Sequence, residues 1–141
     1  MSGPSLRKKK THHSIHDGIY TEARDLTKLL RQLFKDNKTE HFEEVMDALV
    51  EHWEARTIAH AEAEEEGFFT EKLNEQPELN ELIIKLKRDH QLLHIIVEKI
   101  KEKKTQQGLT DDILNHFETL LILFRIHNEE EEGSILFEHE H

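Results

Sequence analysis

The stretch TDDILNHFETLLILFRIHNEEE, residues 110–131, decides the fold. Ile113, Phe117, Leu120, Phe124, His127 and Glu131 follow one another in steps of four and three, which places them on one face of a helix. Thr110 suits the N-cap, and Asp111 and Asp112 suit the positive end of the helix dipole. The face is hydrophobic until it reaches a histidine, and a carboxylate follows one turn later.

Three further segments repeat the pattern. The first carries His16, Ile19, Ala23, Leu26, Leu30 and Leu33, and the second Phe42, Met46, Leu49, Trp53, Thr57, His60 and Glu64. The third begins at Pro77, a residue suited to a first helical turn, and carries Leu79, Leu82, Leu86, His90, Leu93, Val97 and Ile100. Glycine and proline are scarce, 5 and 2 residues, so the class is all-α. The breaks at Asp36-Asn37-Lys38, Asn74-Glu75-Gln76-Pro77 and Gln107-Gly108 are short. Short connections make neighbours antiparallel, which predicts an up-down-up-down four-helix bundle.

That topology places residues equidistant from a turn at one height. The midpoint of His16 and His60 is Lys38, that of His60 and His90 is Glu75, and His90 and His127 straddle the Gly108–Leu109 bond. Four histidines selected by their place in the stripes are thus expected at one level. His60 and Glu64, and His127 and Glu131, are spaced to offer an imidazole and a carboxylate from one helix face; His90 and His94 would offer two imidazoles.

Composition limits the alternatives. The chain has 141 residues, one domain in size, read as a basic disordered tail over 1–11, a helical domain over 12–137 and a short tail over 138–141. Acids outnumber bases, 30 to 19, and the formal net charge of -11 argues against nucleic acid as partner. There is no cysteine, so any metal must be held by nitrogen and oxygen. The longest apolar run, Leu120 to Phe124, is far short of the roughly 20 residues of a membrane span. Arg7-Lys8-Lys9-Lys10 has no apolar segment behind it, so no secretory signal is read there and a soluble, cytoplasmic protein is expected.

Titratable side chains on the inward faces of a small domain each cost kilocalories in desolvation unless paired or bound to metal. A domain of this size has only about 5–15 kcal/mol of net stability to lose. The candidate ligands His16, His60, Glu64, His90, His94, His127 and Glu131 exceed what one tetrahedral zinc needs, and a pair of metals is the natural reading. Of about twelve positions on two octahedral ions, five histidines, two bridging carboxylates and a shared oxo or hydroxo leave about one open. A single open position suits end-on binding of dioxygen.

Ferritin-like proteins use Glu-x-x-His pairs, and here that spacing occurs only at Glu138-His139-Glu140-His141. The order His, His-x-x-x-Glu, His-x-x-x-His, His-x-x-x-Glu, with Phe68-Phe69 and Leu136-Phe137 after the acidic runs, instead resembles the hemerythrin family of HHE cation-binding domains over roughly residues 12–137. The resemblance implies a non-heme centre of two iron ions, bridged by oxo or hydroxo and by carboxylates, in an antiparallel four-helix bundle. It implies His16 as the first-helix ligand, His60 and Glu64 as the second pair, His90 and His94 as the third, and His127 with a carboxylate as the fourth. Animal oxygen carriers have His-x-x-x-x-Asp on the last helix. This chain has Glu129 to Glu132, of which Glu131 continues the inward stripe and Glu132 is the alternative.

Family members bind dioxygen, sense oxygen or iron, or handle peroxide and nitric oxide. Three functions therefore stand: a dioxygen binder or sensor, an enzyme acting on peroxide, nitric oxide or iron, and a regulatory or storage module completed by metal. Without His94 as a ligand a second position opens, which favours peroxide or oxidase chemistry over carriage. Heme recruited by the surplus histidines is a minor alternative. Glu62, Glu65 and Glu66 are expected to be solvated or to accept from ligand imidazoles. His52 and Tyr20 are expected in packing, with the lining of a channel as the alternative, His41 and His116 at the surface, and His12, His13, His139 and His141 in frayed ends.

Overall fold

Turn residues set the helix limits. The computed structural model describes residues 3–136, and among them every long element is helical and no strand occurs. The first helix, Gly3–Lys35, ends where Asn37 takes a left-handed backbone, φ 55°. Lys38 N–H then donates to Leu33 O at 2.9 Å and Asn37 N–H to Phe34 O at 3.2 Å, the bond pair that closes a helix C-terminus through a left-handed residue. The second helical stretch, 39–75, stops at Gln76, held extended by the proline that follows it. Pro77 opens the third with the tight turn Pro77–Leu79, which continues as Asn80–Gln107. Gly108, at φ 70°, ends it. The fourth, Asp111–Glu131, is capped by the Thr110 hydroxyl accepting from Ile113 N–H at 3.2 Å, and passes into a wider turn over Glu132–Leu136.

The backbone is helical from Gly3, so the basic stretch read as a tail over 1–11 instead continues the first helix. Pro4 sits in the first turn, where its missing N–H breaks no bond, and Arg and Lys are good helix formers. The tail read over 138–141, together with Phe137, lies outside the described residues.

The first helix packs against the second and fourth, and the third against the same two. The larger apolar cluster joins Ile19, Ala23 and Leu30 to Met46, Leu49 and Trp53, Leu93, Val97 and Ile100, and Ile113, Phe117, Leu120 and Phe124. A smaller cluster holds Phe68, Phe69, Leu79, Ile83 and Leu86. On the second helix, Thr57 to Glu64 separates Trp53 in one cluster from Phe68 in the other; on the third, His90 separates Leu93 from Leu86. A polar layer is thus built between two dry ones. No helix among the described residues is long and apolar enough to cross a membrane.

The second helix is not uniform. Trp53–Ile58 and Glu64–Phe68 form π-type turns, as does Glu132–Leu136 on the fourth. Such turns take up an extra residue and are frequent at functional sites. Here they absorb the steps of four from Trp53 to Thr57 and from Glu64 to Phe68, so the inward face is kept through the polar layer.

Candidate metal centre

The polar layer takes its side chains from all four helices. His16 comes from the first, His60 and Glu64 from the second, His90 from the third, and His127 and Glu131 from the fourth. Five of these six are buried, Glu131 completely, and His60 is half-buried. The six form two groups with ligand-type atoms close enough to share an ion, one of Glu64, His90, His127 and Glu131, the other of His16, His60 and Glu64. This buried histidine–glutamate cluster could hold a metal ion.

Three ring orientations are set by carboxylates behind them. His16 Nδ1 lies 2.9 Å from Glu132 Oε2, His90 Nδ1 2.8 Å from Glu65 Oε2, and His127 Nδ1 2.9 Å from Asp89 Oδ2. An ionised carboxylate only accepts, so in each case Nδ1 carries the proton and Nε2 is the atom directed at the centre. Carboxylates that hold ligand histidines in this way are the usual support of a metal site. Phe69 stacks on the His90 ring, 5.7 Å between centroids and 6° from parallel, and fixes its plane further.

The Nε2 atoms converge on two carboxylates. Glu64 Oε2 is 3.4 Å from His60 Nε2 and 4.0 Å from His16 Nε2, while its Oε1 is 3.4 Å from His90 Nε2. Glu131 Oε1 is 3.5 Å from His16 Nε2, and its Oε2 is 3.5 Å from His127 Nε2. Both Glu131 oxygens and Glu64 Oε2 are buried and meet no hydrogen-bond donor. Leaving such groups unsatisfied costs roughly 1–3 kcal/mol each, more when charged. Separations near 3.4 Å are long for a hydrogen bond, yet they suit two donor atoms that each sit about 2.0–2.2 Å from one cation.

Protonation follows the same crowding. Burial pushes the Glu131 carboxyl up, and the neighbouring Glu64 charge adds to this against the pull of His127, to about 8. Burial works against the Glu64 charge too, but His60 and His90 outweigh it and hold that carboxyl well below the usual range. Burial also opposes charge on His127, yet Asp89 and Glu131 on its two sides raise it to about 9. His16 is lowered, chiefly by burial. Two carboxylates that cannot both ionise cheaply, beside a ring that keeps its proton, form a site where cations can replace protons.

Of the seven candidate ligands, the structure brings six together and leaves one out. His94 is exposed, and the inward step from His90 falls on Leu93. His94 lies instead on the wall of a cleft of about 380 Å³ between the second and third helices. The floor of that cleft, Ala61, His90 and Leu93, also bounds a cavity of about 10 Å³, about one water in size, lined by His16, His60, Glu64 and His127. Of the two carboxylates open on the last helix, Glu131 faces the centre and Glu132 supports His16.

Some participants were not legible. Asp89 gave no signal beyond its place beside His90. Glu65 was one of three glutamates that could equally have been solvated. His13, expected in a frayed end, lies 2.8 Å from Glu132 Oε1 at its Nδ1. His52 is in packing as expected, with Nδ1 2.9 Å from Glu22 Oε1 and Nε2 2.9 Å from Ile19 O. His41 is exposed, and the ring of His116 bonds its own helix at Asp112 O.

Fold and site together define an all-helical protein with a buried histidine–glutamate centre fit for a metal ion. No protein-family model, no curated protein and no solved structure matches the chain.

Proposed function

We propose that this chain is a hemerythrin-like, non-heme di-iron protein: an antiparallel up-down-up-down four-helix bundle whose centre binds dioxygen or a related small ligand in the cytoplasm. The observation that carries this reading is the way the two carboxylates are shared. Glu64 turns one oxygen towards His16 and His60 and the other towards His90; Glu131 turns one towards His16 and the other towards His127. Two carboxylates, each with an oxygen for either pair of histidines, are the arrangement that two cations side by side require. Nitrogen and carboxylate donors without thiolate suit iron among the transition metals, and hard carboxylates suit its higher valence.

In this reading His16 and His60 would hold one ion and His90 and His127 the other, with Glu64 and Glu131 offering oxygens to both pairs. Bound iron would supply redox-active positions for a small oxygen-containing ligand. The chain's own part is orientation and exclusion of water: Glu132, Glu65 and Asp89 fix the rings, and Phe124, Leu93 and Phe69 close the surroundings.

The placement of His94 favours a second form of the proposal. With four histidines instead of five, about two coordination positions stay open in place of one. Peroxide or nitric oxide chemistry, which needs room for exchange, then fits better than carriage alone. Metal analysis of protein purified without a histidine tag, together with its absorption spectrum before and after oxygen, tests both forms. Two irons per chain and an oxygen-dependent band are expected. A full complement below two metals per chain, or zinc alone, overturns the di-iron reading, whereas an oxygen-dependent band that reverses on deoxygenation favours carriage over turnover.

A further inference from the structure

Four helical threonines of this chain share a habit, and the buried Thr57 departs from it. Thr27, Thr105 and Thr119 each donate the hydroxyl to the carbonyl four residues back, at 2.7, 3.0 and 2.8 Å, and Thr70 reaches Glu65 O at 3.2 Å. Thr57 is as buried as Thr27, yet its Oγ1 meets no partner. It stands in the π-type turn Trp53–Ile58 and lines the small cavity at the metal centre. Asn128 lines the same cavity, is also more than nine-tenths buried, and its Oδ1 has no partner either. Apart from these two and the candidate ligands His16, His60, Glu64, His90 and His127, the wall is apolar: Ala61, Leu93 and Phe124.

A buried hydroxyl without a partner costs stability, and a helix offers it the carbonyl four back. Two such groups facing one water-sized space beside the candidate ligands point to something that space holds. We propose that the Thr57 hydroxyl hydrogen-bonds the small ligand bound at the centre and selects for one of a few atoms that accepts a hydrogen bond, of the class of peroxide or azide. This rests on the di-iron reading and adds a specificity-determining residue to it. Thr57 holds no metal; it donates a proton in a hydrogen bond to the ligand's terminal atom, and no bond is made or broken. An entirely apolar chamber would treat ligands with and without an acceptor alike, and this one does not.

The test uses the full chain loaded with iron and titrated with azide, read from absorbance, beside metal content and the melting temperature of the chelated protein. Thr57→Val keeps the shape and removes the hydroxyl. It is expected to bind azide about ten-fold more weakly, with iron content equal to the unmodified chain and an unchanged or higher melting temperature when chelated. Thr57→Ser, which keeps the hydroxyl, is expected to retain most of the affinity. Equal azide affinity in Thr57→Val at full iron overturns the inference and leaves the di-iron reading standing. A chelated Thr57→Val that melts several degrees lower also overturns it, because the hydroxyl would then serve the fold. An unmodified chain that takes up no iron overturns both.

Discussion

His52 and His127 are buried alike, 4% and 2% exposed, and each has a carboxylate at Nδ1 within 2.9 Å. They differ at the other nitrogen. His52 Nε2 reaches a backbone carbonyl, and its carboxylate partner Glu22 is itself held by Arg56 at 2.9 Å, so both ring nitrogens have a settled partner. His127 Nε2 faces His90 Nε2 at 3.2 Å and Glu131 at 3.5 Å, where a single proton can serve one neighbour at a time. Burial therefore does not distinguish a structural histidine from a candidate ligand. What the second nitrogen faces does.

Removing the shared carboxylate tests that contrast most severely. Glu64 belongs to both groups, so Glu64→Ala is expected to take metal content to near zero and to abolish a metal-dependent rise in melting temperature on the order of ten degrees. A variant that still holds a full complement would sink the shared-carboxylate geometry. His52→Ala should do the reverse, retaining all metal while costing roughly 2–3 kcal/mol of stability through Glu22 and Ile19. If it lost metal in proportion, the two histidine regions would not be separate.

Asp89→Asn touches only the support of His127. Its metal affinity is expected to fall about 10–100-fold with stoichiometry unchanged, as measured by competition with a chelator. For the chelated protein, melting temperature should fall as pH rises from about 7 to about 9. His127 keeps its proton up to about 9, so its contribution is complete below the ordinary histidine value and is lost above. Glu131, protonated up to about 8, loses its contribution in the same direction, while that of Glu64 is already complete at pH 7. A chelated protein that gains stability over this range would show that protons do not occupy the centre in this way. The smallest effect belongs to His94→Ala, expected within about 0.5 kcal/mol in stability and with no metal lost. Loss of one ion per chain would restore His94 as a ligand.

Helix limits were readable because they rest on local chemistry: Asn37 in the left-handed region, Thr110 as cap, Pro77 at a first turn. The inward histidines were readable because they interrupt apolar stripes. His94 stands outside the cluster because a spacing of four is only approximately one turn, and after His90 the stripe of the third helix steps by three to Leu93. The supporting carboxylates were hidden by their surroundings. Asp89, Glu65 and Glu132 belong to charged runs with both buried and solvent-facing members, and nothing in composition says which member meets a ring on a neighbouring helix. The π-type turns left a faint trace in the steps of four at Trp53 to Thr57 and Glu64 to Phe68, but such steps are also ordinary in α-helices.

The two candidate groups also differ in when they can exist. His16, His60 and Glu64 all lie before residue 65, within the first two helices. The other group borrows Glu64 and needs His90, His127 and Glu131 from the last two. During synthesis, one set is complete once residue 64 has emerged, and the other waits for residue 131. Glu64 belongs to both sets, and so must wait in the first for its partners in the second.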